Sequence, residues 1–293
     1  MTRIRKAVLP VAGLGTRFLP ASKAVPKEMI TVVDRPAIQW VIEEAFAAGI
    51  EHAVLVTGRN KSAIEDHFDH APELEATLRE RGKEELLNRL LADLPAAGRL
   101  SYTRQQRPLG LGHAVACARD IIGEEPFALL LPDMLSLAEP GHMSQLMEVH
   151  EKTGGNIIAV EEVPREDTHK YGVVAIGEAM AEGVWRITGM VEKPAPEDAP
   201  SNLIISGRYI LQPEIFRLLA DQAPGAGGEI QITDAMKRLL AEQPFFAVRT
   251  RGETHDCGSP LGFLKANLAF ALNDPALADD LRAEMARLLK AAP

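Results

Sequence analysis

The chain has 293 residues, of which 46% are hydrophobic and 25% charged, with a formal net charge of −9. That length and apolar content supply the core of one large α/β domain or two small ones. The acidic balance argues against a general nucleic-acid binder, while local cations can still serve a small anionic ligand.

Along the chain, "AVLPVA" after Lys6 reads as a buried strand over residues 6–12 that ends at glycines. The N-terminus is basic, but its apolar run is cut by Pro10 and Gly13 and is too short for a signal peptide or a membrane span. "DRPAIQWVIEEAFAAG" over 34–49 predicts a helix: Asp34 and Pro36 suit its start, Gly49 its stop, and Ile38, Val41, Ile42, Ala45 and Phe46 share one face. "HAVLVTG" over 52–58 is a second buried strand, followed by a charged helical stretch over 71–95 interrupted near Gly82. A short strand over 99–105 and a helix over 112–122 come next, and "PFALLLPD" over 126–133 is a buried strand ending in Asp133. This alternation predicts a Rossmann-like α/β fold, with a mixed but mainly parallel central sheet covered by helices on both faces.

Beyond residue 133 the strands "GNIIAVEEV", "YGVVAI", "WRITGMVEK" and "NLIISGRYIL" follow in quicker succession, which predicts a more antiparallel second half. A helix over 230–243 and two C-terminal helices over 260–274 and 275–292 complete the chain. Without a convincing linker, one domain over 1–275 is expected, with 276–293 as an appended helix open to an oligomer contact. Two cysteines, Cys117 and Cys257, lie far apart without C-x-x-C spacing, which points away from structural zinc and towards a reduced, cytoplasmic setting.

The densest chemistry lies in "VLPVAGLGTRFLPASKAVPKEM" (8–29). As a dinucleotide fingerprint it fails, because Phe18 stands where the third glycine belongs and Asp34 precedes the first helix instead of closing the second strand. No G-K-[ST] follows, so it is not a Walker loop either. What remains is a phosphate-binding loop: Gly13 and Gly15 allow close backbone approach, Arg17 offers a bidentate fork, and Lys23 and Lys27 add point charges. Elsewhere, Asp133 ends a buried strand where such sheets bind ligands, and one carboxylate with phosphate oxygens can anchor magnesium. In "RQQRPLGLGHAV", Gln105 can donate and accept at a base edge, and Gly110 and Gly112 open a helix beside it. His113 reads as structural or turned towards that loop, and Cys117 as core.

The pattern G-x-G-T-R-x-L-P-x-[ST]-K-x-x-P-K-E-M resembles the signature of the sugar-nucleotide pyrophosphorylases. Its "SKAVPKEM" form is similar to that of the bacterial uridylyltransferases acting on UTP and glucose 1-phosphate, more than to that of the thymidylyltransferases. The resemblance runs from Lys6 to about residue 275. It implies the nucleotide-diphospho-sugar transferase fold, with a nucleotide half over about 1–135 and a sugar-phosphate half over about 136–258. It implies a nucleotide site at Ala12, Gly13, Gly15, Glu28, Gln105 and Gly110, with Glu28 and Gln105 at the uracil edge. Arg17 and Lys27 are expected to balance the triphosphate, and Lys193 the sugar phosphate. Gly172, Glu192, Lys193 and Asn202 are expected around the sugar, Glu229, Gln231 and Asp234 in a segment closing on the sugar side, and Asp133 and Asp256 on Mg2+. The expected activity is formation of UDP-glucose and pyrophosphate in the cytoplasm by a homodimer or homotetramer, with no nucleic-acid or membrane partner. Another base or sugar, or a UDP-sugar-binding regulatory paralogue, stays open.

Overall fold

In the computed structural model, which describes residues 3–291, nine strands share one sheet. Its order begins Leu100–Arg104, His52–Thr57, Lys6–Pro10, Phe127–Leu130 and continues Leu203–Leu211, Asn156–Glu162, Phe245–Arg249, Val184–Glu192, Gly172–Ala181. The first four run parallel. Leu203–Leu211 enters between Phe127–Leu130 and Asn156–Glu162, antiparallel to both, and is buried at every position. Beyond it only Asn156–Glu162 and Phe245–Arg249 are parallel neighbours, so the second half is mixed, as the quick succession of strands implies.

Alternating side chains along each parallel strand divide the core into two layers. Leu9, Leu55 and Leu130 pack with Ile38, Val41 and Ile42 of the helix Ala37–Ala47. Their neighbours Val8, Val54 and Leu129 face the other way, against Val115, Leu218 and Met236. This two-sided burial explains why these strands read as continuous apolar runs.

Several elements differ from the reading of the sequence. The helix expected from residue 34 begins at Ala37, because Thr31–Val32 and Arg35–Pro36 form a tight antiparallel hairpin with Asp34 at its turn. Gly82, at φ +64°, separates the helices Pro72–Glu80 and Glu84–Ala92. The helix expected over 112–122 breaks into Leu111–Ala116 and Arg119–Ile122. The helix His142–Thr153 and the strand Phe245–Arg249 have no counterpart in the sequence reading. A two-stranded ribbon outside the main sheet pairs Met134–Leu137 with Glu253–Asp256, setting Asp256 opposite Met134. The last helix runs Ala278–Ala291, and residues 292–293 of the expected tail lie outside the described residues. Among the described residues no helix is long and apolar enough to cross a membrane.

Candidate active site

A cavity of about 430 Å³ opens at the C-terminal ends of the parallel strands, where sheets of this kind bind ligands. The first loop contributes Ala12, Gly13, Gly15, Lys27 and Glu28; later segments contribute Gln105, Gly110, Asp133 and Glu229. The loop turns three times in short 3-10 segments, Thr16–Phe18, Ala21–Lys23 and Lys27–Met29. Gly15 sits at φ +65°, and a Cβ there would lie 3.1 Å from the Ser22 Cβ and 3.3 Å from the Lys27 Cβ. Phe18 packs edge-on against Phe263 of the helix Pro260–Asn273, with ring centroids 6.0 Å apart. The loop is thus fastened to the C-terminal helix, in place of the helix–strand contact that a third glycine permits.

The charged groups form a connected set. Lys27 Nζ lies 2.6 Å from Asp133 Oδ2. Burial pushes the Lys27 amine down, but the charges of Asp133 and Glu28 more than restore it. Burial likewise pushes Asp133 up, and Lys27 outweighs it, holding the carboxyl below the ordinary range. Asp256 arrives beside this pair because the ribbon seats it next to residue 134, and Cys257 N donates to the Asp133 carbonyl at 2.6 Å. A Cβ on Gly258 would stand 2.8 Å from Asp256 Oδ1, 3.2 Å from Asp133 Oδ2 and 3.3 Å from Arg17 Nη1. The two carboxylates and the guanidinium therefore converge on one glycine, and Arg17 Nη1 donates to its carbonyl at 3.4 Å.

This donor set suits a hard cation that keeps water and phosphate oxygens. Both side chains offer only oxygen, and burial together with the two carboxylates pushes the intervening Cys257 thiol up to about 12, so it stays protonated. No group of three or more His, Cys, Asp or Glu able to hold a metal occurs among the described residues.

At the opposite wall Glu28 is buried and pairs with Lys61 Nζ at 2.6 Å. Burial raises its pKa above the ordinary range against the pull of Lys61 and Lys27. Its Oε1 is buried with no hydrogen-bond partner among the described residues. Gln105 Nε2 lies 3.0 Å from the Gly110 carbonyl and 2.9 Å from His113 Nδ1. Glu229 also lines this cavity, because its segment locks onto the Gly110 loop. Ile230 N donates to the Leu109 carbonyl at 2.7 Å, and Gly112 N to the Ile230 carbonyl at 2.8 Å.

Gly172, Glu192 and Lys193 meet further along the sheet. A Cβ on Gly172 would lie 3.2 Å from both Glu192 Oε2 and Thr233 Oγ1, and the Thr233 hydroxyl donates to that same Glu192 oxygen at 2.7 Å. Lys193 takes φ +47°, a conformation rare outside glycine, and its Nζ stands 3.6 Å from Glu192 Oε1. Asn202 gives its amide to Glu162 at 2.8 Å. Lys23 is exposed and has no ion pair among the described residues.

The chain matches the family model described as Nucleotidyl transferase over residues 6–272. It belongs to that family. It is 51% identical to a "UTP--glucose-1-phosphate uridylyltransferase" of Bacillus subtilis (strain 168), over 99% of this chain and 98% of that protein. Two solved structures are similar throughout. "UTP-bound UGPase from acinetobacter baumannii" superposes with a TM-score of 0.90 at 44% identity, covering 97% of this chain and 99% of its own. A "UDP-glucose pyrophosphorylase complexed with UDP-glucose" superposes with a TM-score of 0.82 at 42% identity, covering 92% of this chain and 100% of its own.

For this nucleotidyl transferase, Gly110 is the most constrained glycine of the cavity wall. It has φ +107°, and a Cβ would lie 2.7 Å from the Glu229 Cβ and 2.9 Å from the backbone N and O of Ile230. At φ +107° and ψ 173° the backbone is in a region essentially confined to glycine, so Gly110→Ala adds about 1–3 kcal/mol of strain and pushes the Glu229 segment outward. The expected result is a rise of about tenfold in KM for the nucleoside triphosphate, with KM for the sugar phosphate unchanged; initial-rate measurements against each substrate check it. Lys61 and Thr233 belong to the site but carry no motif of their own: each is found only through the acid it meets across the fold.

Proposed function

We propose that this chain forms UDP-glucose and pyrophosphate from UTP and glucose 1-phosphate. The observation that carries the proposal is the meeting of Lys27, Asp133 and Gln105 in one cavity, with Asp256 and Arg17 gathered beside Asp133 at Gly258. It is supported by the near-full-length likeness to a protein with that printed activity.

A phosphate monoester is anionic at neutral pH, so an oxygen of glucose 1-phosphate can attack the α-phosphorus of UTP in line without a general base. Catalysis then consists of positioning and charge stabilisation. Arg17 and Lys27 balance the triphosphate and the departing pyrophosphate, and Lys193 holds the incoming phosphate. Gly13 and Gly15 let the backbone approach the phosphates, while Ala12, Glu28, Gln105 and Gly110 hold the nucleoside. Gly172 leaves room for the Glu192 carboxylate, which accepts from the sugar hydroxyls, and Asn202 stands nearby. Asp133 and Asp256 would hold Mg2+, whose charge supplies neutralisation of the triphosphate oxygens.

The division of labour we infer puts the nucleotide in residues 1–135 and the sugar phosphate in 136–258, with two crossings: Glu229 joins the nucleotide wall and Asp256 the phosphate end. A matrix of four nucleoside triphosphates against several sugar 1-phosphates, read by pyrophosphate release, tests the proposal. UTP with glucose 1-phosphate is expected to give the highest kcat/KM, and only with a divalent cation present. A higher value for dTTP or for galactose 1-phosphate would reassign the specificity, and nucleotide binding without turnover would make the chain a sensor.

A further inference from the structure

We propose that His113 sets base selection by acting on Gln105: as the neutral Nε2–H tautomer it fixes the Gln105 amide so that the cavity presents an acceptor, Oε1, to the base. The inference rests on the reading that Gln105 meets the base. Its starting point is the Gly110 carbonyl, which can only accept. The Gln105 atom 3.0 Å from it is therefore the amide nitrogen. That nitrogen's second hydrogen faces His113 Nδ1 at 2.9 Å, so Nδ1 offers its lone pair and the ring proton sits on Nε2. The reversed amide would set Oε1 against the Gly110 carbonyl, acceptor against acceptor.

Both donors of the amide are spent on these bonds. Oε1 has no hydrogen bond among the described residues, and Gln105 lines the cavity while only 6% exposed. His113 is not among the cavity-lining residues, so it works through Gln105. It stands on the short helix Leu111–Ala116, whose start is held by the bond from Gly112 N to the Ile230 carbonyl. The other group at Nδ1, the Cys117 sulfur, is 4.0 Å away, too far to replace the Gln105 bond.

An acceptor at this point pairs with the N3–H of uracil and repels the N3 lone pair of cytosine. An amide freed from His113 keeps only its Gly110 bond, so it swings about that bond and Oε1 is no longer held in line with N3 of either base. The pair therefore separates UTP from CTP, and it leaves uracil against thymine to other contacts.

The test uses the full chain, pyrophosphate release with UTP and with CTP, and three variants. His113→Leu is expected to raise KM for UTP about tenfold and to lower the preference for UTP over CTP about tenfold, the size of one hydrogen bond. KM for glucose 1-phosphate stays unchanged. His113→Asn places Oδ1 where Nδ1 was, and is expected to restore both values to within about twofold of the parent. In the parent, the imidazole 15N spectrum should show a bare Nδ1 and a protonated Nε2, a reading that does not depend on any variant folding. Parental KM and base preference in His113→Leu, equal impairment in His113→Leu and His113→Asn, or a proton on Nδ1 would each overturn the proposal. Gln105→Leu separates the two levels. If it leaves KM for UTP at the parental value, the reading of Gln105 at the base fails; if it raises KM while His113→Leu does not, the positioning role alone fails.

Discussion

Asp133→Asn is expected to slow pyrophosphate release about a thousandfold, the scale of losing a preorganised charge at a phosphoryl centre. The side chain keeps its shape, and the Asp133 main-chain carbonyl still accepts from Cys257 N, so the turn that carries it survives. What disappears is one of two carboxylates available to a divalent cation and the counter-charge of Lys27 at 2.6 Å. Arg17→Ala is the companion experiment. Arg17 is exposed and its one hydrogen bond among the described residues is the 3.4 Å contact to the Gly258 carbonyl, so its removal should leave the melting temperature unchanged and lower kcat about a hundredfold. Initial rates at saturating substrate, with circular dichroism as the check on folding, decide both. If the two variants retained near-parental rates, the assignment of the phosphate end would be wrong.

The second large effect concerns stability. Arg208 is 1% exposed at the centre of the sheet and spends its guanidinium on Glu44, at 2.7 Å from Nη2, and on the carbonyls of Leu131, Gly207 and Met134. Two of those carbonyls flank Pro132 and Asp133, so the buried cation fixes the turn that carries the Asp133 carboxylate. Glu44→Gln leaves that charge uncompensated, which costs about 3–5 kcal/mol and should lower the melting midpoint by about 10 °C. The pH dependence follows from the same pair. Burial pushes Glu44 up, but the charge and bonds of Arg208 outweigh it and hold the carboxyl below its ordinary value. A depressed folded-state pKa means the stabilisation is complete above the unfolded value, near 4.3 for Glu, and is lost as pH falls through the lower folded one. Melting followed below about pH 4.5 should therefore show a steeper acid loss in the parent than in Glu44→Gln.

The parts of this architecture that were legible in the sequence are those governed by local pattern. The parallel strands announce themselves as apolar runs, since helices cover both their faces, and Gly13, Gly15 and Lys27 of the glycine-rich loop line the cavity at their ends. The ribbon of Met134–Leu137 and Glu253–Asp256 was illegible: four residues a side carry no period, and pairing across more than a hundred positions leaves no local trace. Glu28 belongs to the loop signature, but its partner Lys61 depends on how the second strand's exit folds back. "NLIISGRYIL" reads correctly as a strand, yet nothing in its period says that Arg208 points to Glu44 on the first helix. The interlock of the Gly110 and Glu229 loops is a backbone contact, and side-chain chemistry does not encode it.

That interlock has a consequence for how the chain comes off the ribosome. The loop at residues 13–28 emerges first, but its far wall waits for Glu229 and its second carboxylate for Asp256. Even the central strand Leu203–Leu211 arrives after both strands it joins. A nascent chain shorter than about 256 residues has no complete nucleotide site, so ligand cannot stabilise it by mass action. Nucleotide-dependent protection from proteolysis is therefore expected only in chains long enough to include Glu229 and Asp256.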